Sequence, residues 1–307
     1  MKALLTLLAL ALLTLLKATA APVERCDPCS ARSSIGDKHA TRRMQEIYSA
    51  PIRPELIKER IKMIRDAGVT VAASLSPQRT AELHKAVIDA GVDIFVIRGT
   101  TVSAEHVGND ESALNLKKFI YELDVPVIVG GVATATGALH LMRAGAAGVL
   151  VGFGGGAAHT TRKVLGIEVP MASAVAEVAA ARREYLDESG GRYVHVIADG
   201  SVGRSGDIAK AIACGADAVM MGSPLAKASE APGLGWHWGS EAHHQELPRG
   251  ERVNVGTVGS IEEILLGPSH TSDGSMNLFG ALRRAMATSG YSDVKAFQRV
   301  EVIIHGA

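Results

Sequence analysis

The chain is short of cysteine, of aromatic residues and of any excess of charge, and each shortage removes a class of protein. Three cysteines in 307 residues are too few for a disulfide scaffold. Basic and acidic side chains number 32 each, so the formal net charge is zero and offers no electrostatic footprint for nucleic acid. Aromatics make up 4%, which suits a sandwich of aromatic-rich strands poorly. The uncharged apolar run at residues 3–16 stops at fourteen residues, short of the roughly 20 that span a membrane. What is present is 47% hydrophobic residues with 33 glycines and much Ala and Val. That is material for helices packed tightly on a parallel sheet, in one large domain or two small ones.

Residues 1–39 stand apart from the rest. Lys2, the apolar run and Ala18-Thr19-Ala20 follow the plan of a secretory signal peptide, which export would cleave after Ala20. The stretch APVERCDPCSARSSIGDKH behind them is polar and has no period. Its Cys26 and Cys29 suit a disulfide after export or half of a zinc site. With no second pair at zinc spacing, the plainer reading is two idle thiols in an unstructured tail.

From about Pro54 the pattern becomes regular. ELIKERIKMIRDAG is an amphipathic helix ending at Gly68. Buried strands then read at 69–75, 93–99, 125–131, 148–154, 193–200 and 218–223. Helices lie between them at 77–91, 113–123, 135–145, 171–188 and 206–214. The strands are continuous β-branched runs, as parallel strands buried on both faces require. Several end in glycine-rich segments, where a (β/α)₈ barrel carries its active-site loops. The alternative is a doubly wound open sheet. Only about six units are visible where a barrel has eight, so the first two are expected to be missing. A helix at 278–290 and a strand-like VEVII at 300–304 close the chain.

Three loops carry candidate chemistry. Asp199-Gly200-Ser201 sits at a strand tip, where a carboxylate suits a ribose diol and the following backbone a phosphate. Met221-Gly222-Ser223 lies directly before a helix, the usual place of a barrel's phosphate site. Either loop alone reads more simply as glycine easing a strand into a helix. Together they point to a monophosphate ligand. The third segment, Gly152-Phe153-Gly154-Gly155-Gly156-Ala157-Ala158-His159-Thr160-Thr161-Arg162, lets backbone approach a ligand or ion and ends on a possible acid–base group. Residues 231–274 read as an irregular segment, long enough to be a flap over the barrel mouth.

The stretch ADGSVGRSGDIAKAIACGADAVMMGSPLAKASEAPG resembles the nucleotide-binding part of the IMP dehydrogenase/GMP reductase family, and GGGAAHTTR occupies the place of its catalytic loop. YLDESGGRYVHVIADG, NLFGALRRAM and GYSDVKAFQRVEV are similar to the compact branch of that family without CBS domains. The resemblance runs from about Ala40 to the end. It implies an incomplete TIM barrel over 40–307, usually tetrameric, and NAD-dependent oxidation of IMP to XMP. It further implies that Asp199 meets the ribose, that Ser201, Gly222 and Ser223 hold the phosphate, with Gly200 also on the substrate-binding loop, and that Thr161 lies near the catalytic centre. Gly131 and Gly154 fall on the cofactor side. Gly154, Gly156 and the carbonyl of His159 fall on the loop that takes a monovalent cation such as K⁺.

The departures are as specific. His159 stands where the family has its nucleophilic Cys, and an imidazole substitutes poorly for a thiolate that must form and release a covalent adduct. Ala157, Arg98 and Gly131 replace a Ser, an Asp and an Asn of the family, and the Arg-Tyr pair of its flap has no match. A GMP reductase would need the same Cys. The alternative to a dehydrogenase is a non-redox protein that binds a purine nucleotide. Because purine nucleotides and NAD are intracellular, the protein is expected to be cytoplasmic and its leader accidental, with neither membrane nor nucleic acid as partner.

Overall fold

The structure, a computed structural model, describes residues 13–14, 38–104, 114–239, 242, 244 and 250–303, with backbone alone at 13–14 and 38–41. Cys26, Cys29 and most of the leader lie outside the described residues. In chain order the elements are β1 (Leu13–Thr14), α1 (Lys38–Tyr48), α2 (Pro54–Asp66), β2 (Ala72–Leu75), α3 (Pro77–Asp89), β3 (Ile94–Arg98), α4 (Leu116–Tyr121), β4 (Val127–Val132), α5 (Ala135–Arg143) and β5 (Gly148–Val151). Then follow α6 (Thr161–Leu165), α7 (Met171–Glu188), β6 (His195–Asp199), α8 (Ser205–Ala213), β7 (Ala218–Met220), α9 (Ser223–Ala226), β8 (Trp236–His237), β9 (Val253–Asn254), α10 (Ile261–Leu266), α11 (Leu278–Thr288) and α12 (Val294–Phe297).

Local chemistry sets these boundaries. Helices α2 and α3 each begin on a proline, whose missing N–H would be unsatisfied there anyway. Each is followed by a glycine at positive φ, Gly68 and Gly91, which turns the chain into the next strand. The strands β1 to β7 form one sheet in sequential order. Every pairing is parallel, so each helix crosses back over one face. The sheet curls into a half-barrel, a partial (β/α)₈ barrel.

The two faces of the sheet divide the core. Phe95, Ile97, Val129, Val149, Val151 and Val196 point outward and pack under the helices. Their alternates Ala72, Val96, Ile128, Leu150, Ile197 and Met220 form a separate inner cluster. At the end of the sheet away from the strand tips, Asp217 fastens α7, β6 and the C-terminal helix together. Its carboxylate accepts from Arg182 Nη1 at 2.5 Å, Tyr193 Oη at 2.6 Å, Gln298 Nε2 at 2.9 Å and the Val196 N–H at 2.9 Å.

The six expected strands are present as β2 to β7, and the two-residue β1 of the leader pairs Leu13 and Thr14 with Ala73 and Ser74 beside β2. Two expectations need correction. The segment 231–274 is not irregular throughout: β8 and β9 form an antiparallel ribbon and α10 follows. Residues 300–303 of VEVII form no strand. No described helix is long and apolar enough to cross a membrane.

Candidate active site at the strand tips

Alternation along β3 and β6 aims Arg98 and Asp199 to the inner side, because Val96 and Ile197 two residues earlier already face inward. Arg98 Nε donates to Asp199 Oδ2 at 2.8 Å, and Nη2 donates to Oδ1 at 3.2 Å. The carboxylate is 10% exposed and the guanidinium side chain 26%. Asp199, the expected ribose ligand, is therefore already held by a two-point ion pair across the sheet.

Beside this pair the chain packs closely because β4 carries glycine there. Arg98 is in register with Gly130, and a Cβ on Gly130 would lie 2.4 Å from Leu150 Cβ and 2.5 Å from Leu150 O. A Cβ on Gly131 would lie 2.7 Å from Gly152 O and 2.8 Å from Thr100 O. Neither position has room for a side chain.

The glycine loop folds over Asp199-Gly200-Ser201. The Ser201 N–H donates to Gly155 O at 3.2 Å, and its hydroxyl donates to the same carbonyl at 3.3 Å. Ser201 adopts φ 54°, a left-handed conformation costly for a residue with a side chain. A Cβ on Gly155 would fall 1.9 Å from Ser201 Oγ, so only glycine lets the loop come this close. At the loop's end the His159 N–H donates to Gly156 O at 3.0 Å. The His159 ring packs back on Gly156, 2.5 Å from where a Cβ there would be. The hydroxyls of Thr160 and Thr161 are buried and have no hydrogen-bond partner among the described residues, Thr161 at 1% exposure. Such orphaned groups beside a loop mark where a ligand atom or a water would bind.

The segment after β7 reaches the same place. Residues 250–251 bridge the loop, with His159 opposite Gly250 and the Glu251 N–H donating to Ala158 O at 2.8 Å. The β8–β9 ribbon sets His237 against Gly222. Gly222 is exposed, while Ser223 beside it is half-buried. Trp238 Nε1 donates to Tyr48 Oη at 3.2 Å, tying the segment to α1. Cys214 caps the far end of α8, away from this site, and burial pushes its thiol up. Among the described residues no group of three His, Cys, Asp or Glu side chains is placed to hold a metal.

Thus Asp199, Gly200, Ser201 and the Gly154–Thr161 loop come together, with Gly222 and Ser223 on the adjacent strand tip. The Arg98 pairing and the approach of His237 were invisible in the linear sequence. A separate cleft of about 760 Å³, lined by Lys117, Tyr121, Arg143 and Arg192 among others, lies at the opposite end of the sheet and touches none of these groups.

A curled parallel sheet with its loops converging at the carboxyl ends of the strands defines a barrel-type α/β protein with its candidate site at the mouth. Residues 57–244 match the IMP dehydrogenase / GMP reductase domain, and the chain belongs to that family. It is 54% identical to an uncharacterized oxidoreductase of Mycolicibacterium smegmatis over 268 residues, covering 86% of this chain and 72% of that protein. It is 46% identical to the inosine-5'-monophosphate dehydrogenase of Methanocaldococcus jannaschii over 166 residues, covering 53% of this chain and 31% of that enzyme. An IMP dehydrogenase/GMP reductase-like protein from Corynebacterium glutamicum superimposes with a TM-score of 0.81 at 53% identity, over 88% of this chain and 71% of the other.

Proposed function

We propose that the strand tips bind a purine nucleoside monophosphate, in an IMP dehydrogenase-related oxidoreductase whose expected reaction is NAD-dependent oxidation of IMP to XMP for guanine nucleotide synthesis. The observation that supports it is the convergence of Asp199, Ser201 and the glycine loop, with Gly222-Ser223 at the next strand tip. Asp199 would accept from the ribose hydroxyls. Backbone at Gly200 and Gly222 and the hydroxyls of Ser201 and Ser223 would surround the phosphate. His159 would serve as base to a water attacking the purine, and Thr161 would hold that water through its unpartnered hydroxyl. Homotetramer assembly and a cytoplasmic location belong to the same reading.

The residues expected to serve the cofactor fit it less well. Arg98, which stands where the family has an Asp on the nicotinamide side, is paired with Asp199 and offers a cofactor no carboxylate. Gly131 has no side chain to offer. The carbonyl of Gly156 accepts from the His159 N–H in a turn that closes the end of the loop. These observations favour a second reading, a nucleotide-binding protein that no longer transfers hydride.

Titrating the intact chain with IMP, and separately assaying NADH formation from IMP, NAD and K⁺, decides between them. A rise in unfolding midpoint that saturates with IMP supports the binding site. NADH formation then supports the dehydrogenase, and its absence the binding protein. A cooperative transition that IMP leaves unmoved would overturn both.

A further inference from the structure

We infer that His237, delivered by the β8–β9 ribbon, is a specificity-determining residue that favours a phosphorylated ligand over its unphosphorylated nucleoside. The inference rests on the nucleotide site proposed above and adds to it a residue outside the strand-tip loops.

The geometry begins at Gly222. A Cβ placed there would meet the His237 ring, with Cε1 at 3.3 Å and Nε2 at 3.5 Å. The imidazole edge thus lies over the exposed backbone of the Gly222-Ser223 turn, within reach of an anion resting on it. Any side chain at position 222 would come between the two.

The ribbon holds His237 in place by several independent means. Leu234 at φ 46° and Gly235 at φ 86° reverse the chain after α9. The Leu234 N–H donates to Ala231 O at 3.0 Å, and the Trp236 N–H to Gly233 O at 2.8 Å. His237 then pairs with Val253 across the ribbon, one residue after Trp236 pairs with Asn254. The Arg252 guanidinium stacks 4.3 Å from the Trp236 ring, a contact that helps keep the strands together. A donor held in position before the ligand arrives loses little entropy on binding it. An imidazole N–H facing a phosphate oxygen makes a charge-assisted bond, the stronger kind. Inosine, which lacks the phosphate, would gain nothing from it.

The test is calorimetric titration of IMP and of inosine into the intact wild-type chain, His237→Ala and His237→Gln. Removing one hydrogen bond to a charged group should weaken IMP by about tenfold in His237→Ala. Inosine affinity and the unliganded unfolding midpoint should stay unchanged. His237→Gln, which keeps an N–H donor, should recover part of the IMP affinity. Equal loss for IMP and inosine would show that His237 only supports the ribbon, and unchanged IMP affinity would show that it does not reach the ligand. Either result overturns the inference and leaves the nucleotide site standing. Failure of the wild-type chain to bind IMP would sink both.

Discussion

Arg98 and Asp199 illustrate how one substitution redirects its neighbour. An acidic side chain at position 98 would leave two carboxylates to share between ligand and solvent, whereas the guanidinium engages both oxygens of Asp199. Arg98→Met should therefore lower unfolding stability by about 2 kcal/mol, since a partly buried carboxylate would lose two hydrogen bonds from a charged donor. A double-mutant cycle with Asp199→Asn checks this, and additivity within about 0.5 kcal/mol would show that the pair carries no coupling. His159→Cys tests the other departure by returning a thiol to the loop. We expect no NADH from IMP and NAD in that variant, because the cofactor side also differs at Arg98 and Gly131. Turnover in it would show that the thiol alone was missing. The glycine loop could be recognised in the sequence because its residues are contiguous. The Arg98–Asp199 pair could not, because its members are 101 residues apart and only the register of four strands brings them together.

Elements were readable where punctuation and periodicity agreed. Helix α7 spans Met171–Glu188, as its pattern predicts, and α2 and α3 start at their prolines. Helix α10 was missed because six residues are too few to display a period. Its signal was the capping box Ser260-x-x-Glu263, in which Ser260 Oγ accepts the Glu263 N–H at 3.2 Å and Glu263 accepts the Ser260 N–H at 2.8 Å. Ser260→Ala should cost about 1 kcal/mol by denaturant unfolding. A larger effect belongs to Asp217, which joins three elements. Burial alone would raise its carboxyl. Hydrogen bonds from Tyr193, Val196 and Gln298, with the Arg182 charge, hold it below the usual range. A depressed carboxylate contributes stability above its unfolded pKa of about 3.9 and loses it as pH falls through the lower folded value. Asp217→Ala should thus cost about 3–5 kcal/mol near neutrality by leaving Arg182 buried without its partner. The difference from wild type should shrink below about pH 4, and a constant difference down to acid unfolding would refute the assignment.

At the scale of the whole molecule the fold was legible as a parallel α/β barrel type, while its closure was not. Strand sequences state that both faces are buried, but not which segment covers the edge of the sheet. Among the described residues β2 is bordered by Leu13 and Thr14 of β1, and the opposite edge is the three-residue β7. An edge with unpaired main-chain groups invites pairing with whatever strand is available. The two residues of β1, Leu13 and Thr14, pair there, although nothing in the surrounding run distinguishes it from a signal peptide's apolar core. Protection of the β2 amides should then depend on β1. Replacing both Leu13 and Thr14 with proline removes the donors and disfavours the ladder. Amides of Ala72–Leu75 facing β1 should exchange faster, about tenfold for each ~1.4 kcal/mol of local stability lost, while those bonded to β3 keep their protection. Unchanged exchange along β2 would mean that the leader does not border the sheet in solution. The inner cluster of Val96, Ile128, Leu150 and Ile197 would then sit beside a β2 edge that β1 does not cover.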